Sequence, residues 1–269
     1  MRFRAGLNWG ILIVLVGMCF RSTVSFAAEE WRERKARHFR VYYQNAPLDF
    51  VKEVEDTAED YYGKIADNLG FTRYEGWNYD RRASIYIFDD QQHYVKASQG
   101  YGWSSGHAYS AQKVIKTYPS AYGFFDSVLP HEMGHIILRE ALGEKARVPV
   151  WFNEGVAMYQ EKAKRWGAHR QVVEAIENET FIPLQFLTGS KLRNTNDRAY
   201  VNLFYAESAS AVNFLINEYG KQRFVRLCRK LKSGRPFEWA MDSVYVRFKN
   251  LEELNDEWVY FVKKKYGAK

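Results

Sequence analysis

Cysteine is nearly absent, at 2 of 269 residues, and one of the pair, Cys19, lies in an N-terminal segment that reads as removable. Cys228 alone cannot form an internal disulfide, so a stapled scaffold is excluded and the fold must rest on its core. With 6 prolines and 18 glycines, the chain is too poor in both to be collagen-like or low-complexity. Long hydrophobic runs are missing too. The apolar run Trp9 to Phe20 has 12 residues, short of the roughly 20 that span a bilayer. No repeat of solenoid or propeller period stands out. Nor does one sign of charge dominate. The net charge is +7, but Arg2, Arg4 and Arg21 lie in the first 28 residues, which hold no acid. Without them, 36 basic residues face 32 acidic ones, leaving +4. Nucleic acid is therefore not an expected partner.

What is present begins with an export signal. Arg2 and Arg4 precede the apolar run, and Ser25-Phe26-Ala27, with Ala28 beside it, offers a small-residue cleavage pattern. Residues 1–28 read as a signal peptide, with an uncleaved anchor as the alternative. Met18 stands before Cys19 where a lipoprotein site wants a small residue. Residues 29–269 read as one domain, exported to a periplasmic or extracellular space.

Glu29 to Arg37 is a charge run, expected as a solvated lead-in. Alternation predicts strands at 38–43, 83–88 and 113–118, and helical spacing predicts a helix at 48–69 stopped by Gly70. Gly100 to Gly106 reads as a loop, and Tyr101, Trp103, His107 and Tyr109 as core or rim packing, with a lid or binding wall as the alternative. From about Tyr122 the pattern turns helical, with helices expected at 126–140, 150–164, 166–178, 200–218, 220–232 and 250–265. Strands with a helix followed by a helical half argue an α+β fold with a cleft between the halves. Two basic clusters, Lys162/Lys164/Arg165/His169/Arg170 and the tail Lys263 to Lys265 with Lys269, read as solvated faces that offer a membrane or wall polymer weak contact at most.

The chemistry lies in His131-Glu132-Met133-Gly134-His135, an HExxH sequence. Two histidines four apart stand one turn above each other and can share a metal, while the intervening Glu reaches a water on it. Pro130 is acceptable only in a first turn or at a kink. A third ligand is needed. An HExxHxxGxxH pattern fails, because Leu138 and Ala141 stand where Gly and His belong. Glu140 and Glu144 point away from the histidine face. Glu154 fits, opening the second helix in Trp151-Phe152-Asn153-Glu154-Gly155-Val156-Ala157, after 18 intervening residues.

HExxH, 18 residues and Glu, in an Asn-Glu-x-x-Ala setting, resembles the gluzincin metallopeptidases of the MA clan. The form Trp-Phe-Asn-Glu-Gly-x-Ala is most similar to the small exported bacterial peptidase MA-like domains, over about 38–234. The resemblance implies a zincin-like α+β fold with an N-terminal mixed sheet and the active site in the cleft. It implies one zinc ion held by His131, His135 and Glu154, and peptide hydrolysis by a metal-activated water with Glu132 as general base. It also implies an oxyanion-stabilising residue, for which Tyr205 is favoured in Tyr205-Ala206-Glu207-Ser208, with Tyr200 and His107 behind it. Asn153 and Glu207 are candidates to hold the free imidazole nitrogens. The strand before the HExxH helix, 113–118, is expected to be a sheet edge that takes an extended peptide, with Lys113 and Lys116 guarding it. Peptide or protein substrates follow. The alternative is a silent member of the fold that binds peptide, protein or cell-wall partners without turnover.

Overall fold

Alternate apolar residues in three short segments build the centre of a five-stranded sheet. In the computed structural model, β2 (Phe39–Tyr43), β3 (Ala83–Ile87) and β5 (Val114–Thr117) are parallel neighbours. Phe39, Val41, Ile85, Ile87 and Ile115 point to one face and are buried. The structure describes residues 30–71, 77, 79–98, 106–119, 121–190 and 197–267, and Trp31–Lys269 form one compact unit. The expected signal peptide, Tyr101, Trp103 and the side chains of Lys162, Lys164 and Arg165 lie outside the described residues.

Two strands were not expected. β1 (Arg32–Lys35) is the charge run, and it pairs antiparallel with β2, its four residues exposed and Glu33 accepting from the Tyr42 hydroxyl at 3.2 Å across the pair. Such a strand carries no apolar alternation to betray it, and its charges protect an edge. At the other edge, β4 (Gly106–Tyr109) pairs antiparallel with β5 through a tight turn in which Lys113 adopts φ 55°. The sheet order β1-β2-β3-β5-β4 corrects the expectation for 113–118. That strand is internal, and the edge beside the HExxH helix is β4. Lys113 bonds Glu140 at 2.8 Å and Lys116 donates to the Ala97 carbonyl at 3.0 Å, so neither lysine guards an edge.

Helix α1 (Leu48–Leu69) packs Val51, Val54, Ala58 and Ile65 into the core and stops at Gly70, whose φ of 77° suits glycine. The short helix α2 (Gln91–Ala97) follows β3, capped by the Asp90 side chain accepting from the His93 amide. Before α3 (Leu129–Leu142) the chain makes a π-helical turn, Phe124–Val128, and Pro130 falls in the first turn of α3. Proline has no amide hydrogen to donate, so the helical ladder shifts register just ahead of it.

Helix α4 (Val150–Gln160) is buried on nearly every side. It lies between α3 and α7 (Arg198–Asn217). Two glycines permit this. A Cβ on Gly134 would meet the Ala157 Cα at 2.9 Å, and one on Gly155 would meet the Ser208 carbonyl oxygen at 2.3 Å. The remaining helices, α5 (Lys162–Glu177), α6 (Leu184–Gly189), α8 (Lys221–Lys232), α9 (Phe237–Val244) and α10 (Leu251–Tyr266), complete the helical half of an α+β fold. No helix among the described residues is long and apolar enough to cross a membrane.

Candidate metal centre

The two histidines of HExxH stand on the face of α3 that meets α4. Their rings are nearly perpendicular, with Nε2 atoms 3.1 Å apart. Glu154, on the first turn and a half of α4, brings its Oε2 to 3.6 Å from Nε2 of His131 and 3.5 Å from Nε2 of His135. The three donor atoms lie within 4.8 Å of one another. The two close glycine contacts carry this convergence, because a side chain at Gly134 would push α4, and Glu154 with it, away from the histidines.

The donor set suits a divalent cation. Two imidazole nitrogens and one carboxylate oxygen are the ligands of a hydrolytic zinc site that leaves a position open. The electrostatics agree. Burial alone would raise the Glu154 carboxyl, but the two imidazoles overcome it and hold the group well below the usual carboxylate range. Burial would lower His131, but Glu154 and Glu161 together raise it above the ordinary histidine value. The pocket is built to hold positive charge.

Behind His131 stands a residue that the sequence did not single out. Glu161, fully buried where α4 ends, places Oε1 2.8 Å from His131 Nδ1. Its other oxygen accepts from the hydroxyl of Ser127 in the π-helical turn. A carboxylate at Nδ1 selects the tautomer with hydrogen there and leaves the Nε2 lone pair facing His135 and Glu154. The guesses of Asn153 and Glu207 for His131 are thereby corrected. Glu161 was legible in principle. It follows Glu154 by seven residues, 20° short of two helical turns, on the same face. Glu207 is instead fully buried on α7, where one oxygen accepts from the Ile182 amide at 2.9 Å. Nδ1 of His135 is buried with no hydrogen-bond partner among the described residues.

Glu132 points from α3 to the sheet edge, where Oε2 accepts from the Ala108 amide of β4 at 3.0 Å. Short strand and expected base are thus tied together, a link absent from any local motif. Tyr205, on α7, is half-buried. Burial first, then the negative charges of Glu154 and Glu132, push its hydroxyl up to about 12. The other two tyrosine or histidine candidates lie differently. Tyr200 shares a hydrogen bond with Ser190 at 2.9 Å, and His107 sits on β4 opposite Lys116, its ring edge-on to Tyr109. His169, expected on a basic surface, is buried, its Nδ1 2.9 Å from the Ser210 hydroxyl and its ring stacked on Tyr266.

Comparison with curated proteins returns no match. Residues 69–264 match the family model of the Peptidase MA superfamily. That span begins later and ends further along than the 38–234 of the sequence resemblance. It takes in α3, α4 and α7 and runs into α10. Covering well over half of the chain and every residue of the metal centre, the match makes this chain a member of the Peptidase MA superfamily, a domain of peptidase type with a His-His-Glu group able to hold a metal.

Proposed function

We propose that the protein is an exported zinc-dependent peptidase that hydrolyses peptide bonds with Glu132 as general base. The observation that carries this reading is the convergence of His131, His135 and Glu154 beside a glutamate tied to a sheet edge. These three residues would hold one zinc ion. When bound, the ion supplies a Lewis acid that makes water nucleophilic near neutral pH and polarises a carbonyl.

The chain's own groups do the rest. Glu132 accepts the proton of the attacking water and returns it to the leaving amine. The Ala108 amide fixes the carboxylate that does so, at 3.0 Å. Tyr205, its hydroxyl pushed up to about 12, stays protonated at any physiological pH and donates to the developing oxyanion. An extended peptide adding to the outer edge of β4 lies beside Glu132. The substrate class is therefore peptide or unfolded protein.

The test is metal content and turnover together. Wild type and Glu132→Gln should each bind about one zinc per chain, Glu154→Ala should lose it, and only wild type should cleave a peptide library. Full occupancy in Glu154→Ala would refute the ligand set. Cleavage by Glu132→Gln would refute the base. Export is checked by N-terminal sequencing of the mature protein, which should begin close to Ala28 rather than at Met1.

A further inference from the structure

Between Glu218 and Glu238 the chain carries seven Lys or Arg and no acid. The domain after residue 28 has a net charge of +4 overall, so everything outside this stretch sums to −3. The cations are on one surface. Phe224, Leu227, Cys228 and Leu231 bury one side of α8 in the core, while Arg223, Arg226, Arg229, Lys230, Lys232 and Arg235 are exposed. Lys221 is spent on Asp67 at 3.1 Å, and Arg223 donates to the Tyr219 carbonyl. Beside the first turns of the helix lies an open cleft of about 890 Å³, lined by Lys221, Arg223, Arg226 and Arg229 together with Gly70.

An aromatic side chain completes the surface. Trp239, at the start of α9, is 43% exposed, and its ring lies under Arg235 at 4.8 Å and Lys230 at 5.4 Å. Exposed indole among cations is the pairing found where proteins meet the headgroup layer of a bilayer.

We propose that the α8–α9 surface docks the folded domain on an anionic lipid bilayer. The apolar side of α8 is committed to the core, so the helix does not insert. Arg226 and Arg229 take headgroup phosphates in the cleft, and Trp239 enters the interface beside them. The rest of the domain is net negative in sum, so an anionic surface favours this face over the others. The proposal is independent of the metal centre.

Full-length protein is sedimented with vesicles of phosphatidylcholine, and with vesicles that also contain phosphatidylglycerol. The readout is the increase in bound protein due to the anionic lipid, which removes any charge-independent binding by the N-terminal segment. Each Lys or Arg near such a surface strengthens binding about fivefold. The increase should therefore weaken at least ~10-fold in Arg226→Glu/Arg229→Glu. It should persist in Lys52→Glu/Lys64→Glu, which makes the same charge change at exposed lysines of α1. Thermal melts of both variants should match wild type. Equal loss in the two variants would assign the effect to net charge and overturn the proposal. So would the absence of any increase, or binding to soluble polyphosphate without binding to vesicles, which would assign the surface to a polyanion.

Discussion

Glu161 is not one of the three converging donors, yet it holds one of them in place. Its carboxylate is shared between His131 and Ser127, so it fixes a ring and is itself fixed. Glu161→Gln keeps the size and one acceptor but loses the charge. Zinc affinity should fall ~10- to 100-fold, read by competition with a chelator of known affinity. Unchanged affinity would show that His131 is held by packing alone. Tyr205→Phe removes one hydroxyl near Glu154 and Glu132. It should lower kcat by about 10²–10³ with zinc content unchanged, and a variant with wild-type kcat would move the oxyanion role elsewhere. Local spacing made the pairing of His131 and His135 legible, because HExxH obeys helical geometry, whereas Glu154 on the next helix came from the resemblance. Spacing could not show the Ala108 amide meeting Glu132, since that contact joins residues 24 apart on different elements.

At the scale of elements, the site depends on how closely three helices approach. Both Gly134 and Gly155 lie in the motif segments, and each sits at a helix crossing where a methyl group has no room. Gly155→Ala meets backbone oxygen at 2.3 Å and Val212 at 2.7 Å, whereas Gly134→Ala meets its nearest atom at 2.9 Å. Both should destabilise by about 1–3 kcal/mol, Gly155→Ala more, as urea midpoints will show. Both should also weaken zinc binding, because α4 carries Glu154. A Gly155→Ala variant as stable as wild type would mean that α4 and α7 can separate at little cost. The strands missed from sequence are also an element-scale matter. β1 has only charged residues and β4 only four residues, so neither shows an apolar pattern, and both take their place from the elements they meet.

For the whole molecule, metal and proton act on the same stability. The residues able to hold the metal come from α3 and α4, which are packed in a large apolar core. Chelation should therefore lower Tm, by the mass-action loss of a ligand that binds only the native state, yet leave a cooperative transition and the far-UV spectrum intact. Loss of the transition would show that the metal holds the fold. Two buried groups outside the metal centre add to the pH response. Burial raises Glu207 from 4.5 to about 8, so its contribution is full below pH 4.5 and is lost as pH rises through about 8. Burial lowers His169 from 6.5 to about 4, so its contribution is present above 6.5 and is lost as pH falls through about 4. Glu207→Gln should consequently be more stable than wild type at pH 9 and flatten the alkaline side of a Tm–pH profile. An unchanged profile would show that the carboxyl ionises without cost.

The amino-acid sequence by itself determined the fold class, the central strands, the long helices and the four residues His131, Glu132, His135 and Glu154. The strands and helices follow from periodicity, His131, Glu132 and His135 from the HExxH spacing on one helix, and Glu154 from the resemblance that its setting carries. Tertiary structure alone decided that β4 forms the edge and that His169 is buried, and it chose Glu161, which helical spacing allowed, over Asn153 and Glu207 to back His131. It also decided which basic residues share a face. The physical reason is common to all of them. Hydrophobic periodicity records which side of an element is buried, whereas a hydrogen bond or a charged surface depends on which other element arrives there, and in what register.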